Sequence, residues 1–129
     1  TTIALTDAGR TDPLFGALPE VFEAFVGHKE AISSVPQHFS VLARSQACPV
    51  QAFRVGANVY ATQFHPELDT ETFASRVRAY ATHGYFDPSE LEQIIASAAA
   101  ADVRAAHTLL ARFVDLYARP SRPREFAAW

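Results

Sequence analysis

Two side chains near the middle of the chain are spaced for acid–base chemistry. His65 and Glu67 stand two residues apart in Gln63-Phe64-His65-Pro66-Glu67, where an alternating stretch gives way to a helical pattern. In an extended segment, residues i and i+2 point to the same side. Pro66 fixes its own φ and biases His65 toward an extended conformation. A carboxylate so placed accepts a hydrogen bond from one imidazole nitrogen and leaves the other free as a base. The tripeptide alone does not separate this reading from a histidine that merely ends a strand.

Other chemistry-bearing residues give weaker signals. Cys48 is the only thiol, in "QACPVQ". Pro49 and the strand after it leave no room for a strand–turn–helix elbow, so Cys48 reads as a small buried apolar residue. His38, His83 and His107 lack the Cys or His companions of a metal site, and His65 with Glu67 makes only two ligands. No metal and no cofactor is expected. No glycine-rich phosphate loop is present.

The elements that must position His65 and Glu67 are read from periodicity and breakers. Thr2 to Thr6 is an expected strand, followed by turn residues in "DAGRTDP" and a loop with one helical turn in "LFGALPE". Val21 to Val26 is a second strand, and Gly27 opens a polar loop. Val41 to Arg44, Val50 to Val55 and Val59 to Phe64 are three further strands. Gly56-Ala57-Asn58 turns the last pair into a hairpin. After Glu67 the period becomes helical. Asp69 or Thr70 caps a helix with Phe73, Val77 and Tyr80 on one face. Asp87, Pro88 and Glu90 start a second, alanine-rich helix, expected to pack closely. Asp102 caps a third, with Val103, Ala106, Leu110, Phe113 and Tyr117 as its stripe and Pro120 as its stop. The tail beyond it carries Phe126 and Trp129 as possible anchors. Strands first and helices after indicate an α/β or α+β piece.

Composition sets the bounds. A chain of 129 residues, 49% hydrophobic and 19% charged, is about one small domain with enough apolar material for a core. A formal net charge of −3 gives no electrostatic case for nucleic acid or an anionic membrane. No apolar run approaches the roughly 20 residues of a membrane span, and no basic n-region followed by a short apolar run opens these residues, so no signal peptide is expected. The lone cysteine is compatible with a reducing cytoplasm. The chain begins at Thr1, contains no methionine and opens as a strand already under way. The expectation is that it is the carboxyl-terminal part of a larger chain.

With these elements in place, "CPVQAFRVGANVYATQFHPELD" closely resembles the terminal block of the class I glutamine amidotransferases. In that family a P-x-QAF strand leads into a hairpin whose return strand ends in QFHPE. Upstream, "GHKEAISSVPQHFSVLARSQACPVQAF" is similar to the family pattern of an H-x-D/E loop, a Leu-Pro pair, LA-x-S and P-x-QAF, with Val35-Pro36 at the Leu-Pro position. The resemblance covers about residues 20–68. "HGYFDPSE" looks like the tails of stand-alone, GMP-synthase-like members.

The resemblance implies a Cys-His-Glu triad, with His65 as base and Glu67 orienting it, that hydrolyses L-glutamine to glutamate and ammonia for an ATP-dependent synthetase. It implies an α/β, three-layer, flavodoxin-like sheet, of which this chain would be the C-terminal half with a helical extension. Residues 1–84 would belong to the amidotransferase domain, 85–118 to a two-helix extension and 119–129 to a tail. Gly27 and His28 stand in the family's H-x-D loop near the glutamine pocket, as substrate-binding candidates. The family's Gly-x-Cys-x-Gly elbow is absent from these residues, so the nucleophile is expected upstream, and this chain alone is expected to be inactive. Two alternatives stay open: a γ-glutamyl hydrolase or peptidase with the same triad, and a non-catalytic amidotransferase-like binding module. The expected location is cytoplasmic.

Overall fold

The computed structural model describes residues 1–27 and 30–118. Seven strands and four α-helices follow in order: β1 (Thr2–Leu5), α1 (Asp7–Arg10), β2 (Val21–Glu23), β3 (Phe25–Val26), β4 (Ser40–Arg44), β5 (Ala52–Val55), β6 (Val59–Thr62), β7 (Phe64–His65), α2 (Thr70–Tyr80), α3 (Leu91–Ala100) and α4 (Arg104–Tyr117). The mixed α/β fold expected from the sequence is the fold observed. Among the described residues every strand pair is antiparallel, in a five-stranded sheet ordered β2-β1-β4-β5-β6 and a separate pair β3-β7.

Two expected strands are each broken in two. Val21 to Val26 divides at Ala24, so that β2 pairs with β1 while β3 leaves the sheet. Val59 to Phe64 divides at Gln63, so that β6 pairs with β5 while β7 turns to β3. The two departing ends find each other, with Phe25 opposite His65 and Val26 opposite Phe64. Period-2 patterning marks a strand but carries no information about its partner. Gly56 sits in the β5–β6 turn at φ +61°, a conformation that costs glycine no steric strain.

The expected turn after β1 is instead the single-turn helix α1. Thr6 caps it by accepting the Gly9 N–H at 3.0 Å. A Cβ on Gly9 would lie 2.0 Å from the Leu42 carbonyl oxygen, so glycine is what lets α1 lie against β4. The core forms on one face of the sheet, from alternate residues Ile3 and Leu5 with Phe15, Phe22, Leu42 and Phe64. Ala106 and Leu109 of α4 close over it.

The helices depart from expectation in three details. On α4 the inward residue is Leu109, whereas Leu110 is 49% exposed. Counting from Ala106, position 109 continues the inward face, Phe113 is exposed while meeting the Tyr60 ring, and 110 falls at the edge. Val103 takes the cap position of α4, with Asp102 accepting the Arg104 N–H at 3.2 Å. The alanine-rich α3 buries only Ala98 fully, so it lies across the surface rather than inside. The expected stop at Pro120 and anchors Phe126 and Trp129 fall outside the described residues.

Candidate active site

His65 is the last residue of β7, and Pro66-Glu67 form a turn rather than continuing the strand. The Leu68 N–H reaches back to the His65 carbonyl at 3.4 Å. The glutamate is thus brought to the ring by a turn, not by the same-side geometry of an extended segment. Pro66 suits this, since its φ is pre-set for the second position of a turn. His65 Nδ1 and Glu67 Oε1 lie 2.9 Å apart. Burial works to raise the Glu67 carboxyl, but its own backbone N–H, the His65 hydrogen bond and the charges of His65 and Arg76 outweigh burial and hold it below the ordinary glutamate range. A carboxylate only accepts, so Nδ1 donates, and in the neutral ring Nε2 is left with its lone pair.

That free nitrogen faces Gly27. A Cβ placed on Gly27 would meet His65 Nε2 at 3.9 Å, in ordinary contact. Gly27, His65 and Arg76 share a cleft of about 510 Å³ lined otherwise by apolar and aromatic side chains, among them Phe73, Tyr80 and Phe86. Arg76 of α2 reaches Glu67 Oε1 at 3.9 Å. Asp69 and Thr72 form a reciprocal capping box that fixes the start of α2 directly after the turn. His28 lies outside the described residues. His65, Glu67 and Gly27 are brought together.

Cys48 is not part of this group. It is 1% exposed, in the tight connection between β4 and β5. Its Sγ donates to the Val50 carbonyl at 3.3 Å and receives the Gln63 amide at 2.8 Å. Gln63 also donates to the Val50 carbonyl at 2.6 Å and accepts the Ile32 N–H at 3.1 Å. It therefore ties the 30–39 loop to the hairpin at the point where the strand changes partner. Sequence reasoning gave Gln63 no role, although it stands within the motif. Arg76 was also missed; nine residues after Glu67, it returns to the carboxylate only because α2 folds back along the turn.

His107 is a further residue whose role the sequence did not signal. Its Nε2 lies 2.9 Å from the Leu68 carbonyl, one residue beyond Glu67. The expected two-helix extension is therefore packed against the motif. Phe25, Leu68, Ala98 and Val103 form a second apolar cluster, with Phe73 and Ala101 against it. Among the described residues no helix is by itself long and apolar enough to cross a membrane.

The chain is similar to known proteins over part of its length. The chain is 36% identical over 67 residues to a glutamine-hydrolysing GMP synthase of Thermosipho melanesiensis, a stretch that is 51% of this chain and 13% of that protein. It is 32% identical over 69 residues to one subunit of the glutamine-hydrolysing GMP synthase of Methanocaldococcus jannaschii, covering 53% of this chain and 37% of that relative. The chain thus matches well under two thirds of these relatives. Among solved structures, SMU.1228c superposes with a TM-score of 0.71 at 25% identity, over 92% of this chain and 50% of that one. A glutamine amidotransferase of Thermotoga maritima, at 16% identity and a TM-score of 0.70, shares the fold over 89% of this chain and 47% of its own. Residues 2–86 match the family model described as glutamine amidotransferase class-I, and on that match the chain belongs to the class-I glutamine amidotransferase family.

Proposed function

We propose that this chain supplies two members of a Cys-His-Glu triad that hydrolyses the side-chain amide of L-glutamine, with His65 as general base and Glu67 as the carboxylate that orients it. The nucleophilic thiol comes from outside these 129 residues, on a segment preceding them, so that the chain is the carboxyl-terminal half of the domain and inactive alone. The observation that carries the reading is the 2.9 Å bond from Nδ1 to Glu67, with Nε2 left facing the cleft.

In this mechanism Nε2 takes the proton of the thiol as sulfur attacks the amide carbon. Glu67 stabilises the imidazolium that forms. The imidazolium then gives its proton to the departing nitrogen, releasing ammonia and leaving a γ-glutamyl thioester. His65 next takes a proton from water, whose oxygen attacks the thioester. Collapse releases glutamate and restores the thiol. No cofactor enters. The ammonia passes to an ATP-dependent synthetase, and the location is cytoplasmic. Gly27 borders the position of the substrate, and His28, next to it in sequence, is the second substrate-binding candidate.

The test is His65→Ala in the complete amidotransferase. Glutamine hydrolysis near the wild-type rate would reject His65 as the base. A second reading, release of a larger amine from a γ-glutamyl amide, is favoured by the aromatic lining of the cleft beside His65, which ammonia does not need. Comparing kcat/KM for glutamine and for γ-glutamyl benzylamide separates the two.

A further inference from the structure

We propose that His107, on α4, is a positioning residue for the triad: through the Leu68 carbonyl it fixes the turn that carries Glu67. The inference rests on the proposed roles of His65 and Glu67.

The turn needs outside support. Its internal hydrogen bond, from the Leu68 N–H to the His65 carbonyl, is long at 3.4 Å. Glu67 is 47% exposed on its side chain, so packing does not fix the carboxylate. What is fixed is its neighbour. Leu68 is 4% exposed, inside the cluster built from β3, α2, α3 and the residues leading into α4. The Leu68 carbonyl is held at 2.9 Å by His107 Nε2. A carbonyl only accepts, so Nε2 carries the proton. Side chain and carbonyl of Leu68 are thus anchored in two directions, and Glu67 is the next residue back along the chain. Small losses of placement at a base–carboxylate pair are expensive in rate, because the imidazole must be aimed before the proton moves.

The same helix provides its own control. Arg112 donates to the Leu14 carbonyl at 3.3 Å and to the Pro13 carbonyl at 3.1 Å, in the loop after α1 and apart from the turn. Loosening α4 there should not touch Glu67.

The experiment compares His107→Leu, His107→Gln and Arg112→Ala in the complete amidotransferase. His107→Leu is expected to lower kcat for glutamine about tenfold with KM within about twofold, since transition-state placement and not substrate binding is lost. His107→Gln keeps an amide N–H at similar reach and should hold kcat within about twofold. Arg112→Ala should leave kcat unchanged. The ¹⁵N shifts of the His65 ring should show one Nδ1–H tautomer in the wild type and in His107→Gln, and a mixture in His107→Leu. A wild-type kcat in His107→Leu, or an equal fall in Arg112→Ala, overturns the proposal. If His107→Leu does not fold, His107→Asn replaces it, with an amide that stops short of the carbonyl. If the wild type hydrolyses no glutamine, the proposed function falls, and the tautomer comparison still decides the role of His107.

Discussion

Two carboxylates in this chain hold aromatic partners on successive strands, β6 and β7, and they differ in whether anything is left open. Asp12 has a fully buried side chain. Its Oδ1 accepts the Leu14 and Phe15 N–H groups at 2.8 and 3.0 Å. Its Oδ2 lies 3.3 Å from Arg54 Nε, an ion pair without hydrogen-bond alignment, and 3.4 Å from the Tyr60 hydroxyl. Tyr60 meets Tyr117 of α4 at 3.0 Å, and Tyr117 reaches the Ala57 carbonyl at 3.2 Å. Burial first, then the Tyr117 hydrogen bond and the Asp12 charge, push the Tyr60 hydroxyl well above the ordinary tyrosine range, so it stays a neutral donor. Glu67 instead is half exposed, and its ring partner keeps an unused nitrogen facing a cleft. A node that holds a fold together engages both carboxylate oxygens away from solvent; a node suited to chemistry leaves one lone pair unspent.

The comparison breaks if activity and stability respond the wrong way round. The largest expected effect is that of His65→Ala, a fall in kcat of about 10³-fold or more in the complete amidotransferase. Its unfolding free energy should change by less than about 1 kcal/mol, because the ring is partly exposed. Asp12→Ala should do the reverse. It leaves two N–H groups and Tyr60 without this acceptor and Arg54 without its counter-charge, for a loss of about 3 kcal/mol in chemical denaturation. Turnover per folded molecule should stay unchanged. A large rate loss with normal stability in Asp12→Ala would mean that the closed node also serves the reaction.

Glu67→Gln is the next largest. The amide oxygen can still accept from Nδ1, so the tautomer is retained, but the negative charge that stabilises the imidazolium is gone. A fall in kcat of about 10²-fold is expected, with KM little changed, read from steady-state glutamine hydrolysis. An effect as large as that of His65→Ala would mean that the charge, and not the orientation, dominates.

How much of this was legible depends on which physics placed each residue. The Asp69 cap and the hairpin at Gly56 follow from local rules and appear where the sequence puts them. Bringing His65 and Glu67 together was also local, although the backbone does it with a turn. The breaks at Ala24 and Gln63 were not legible. They depend on a competition between two sheets for the same strand, and neither residue is a Gly or Pro that would announce a break. Asp12, Arg76 and His107 were not legible either, since each acts across a fold whose distances sequence spacing does not contain.

The smallest expected effect belongs to Arg76, and it sharpens what openness costs. Arg76 Nη1 sits 3.9 Å from Glu67 Oε1, and both side chains are about half exposed. Such a pair is worth roughly 0–1 kcal/mol, so Arg76→Ala should leave turnover at neutral pH within about threefold. Its effect should appear on acidification. The Glu67 carboxyl is depressed in the folded state, so the pairing is present above the unfolded value and is lost as pH falls through the lower, folded one. Removing the Arg76 charge removes one of the influences that hold Glu67 down. Titration of the Glu67 carboxyl ¹³C shift should therefore move to higher pH in Arg76→Ala. The gap between variant and wild type should narrow in 1 M salt, where the Debye length is about 3 Å. Asp12, shielded from solvent, should show no such salt dependence in its contribution to stability. If the Glu67 titration does not move, Arg76 is a bystander, and Glu67 is held by His65 and its own backbone alone.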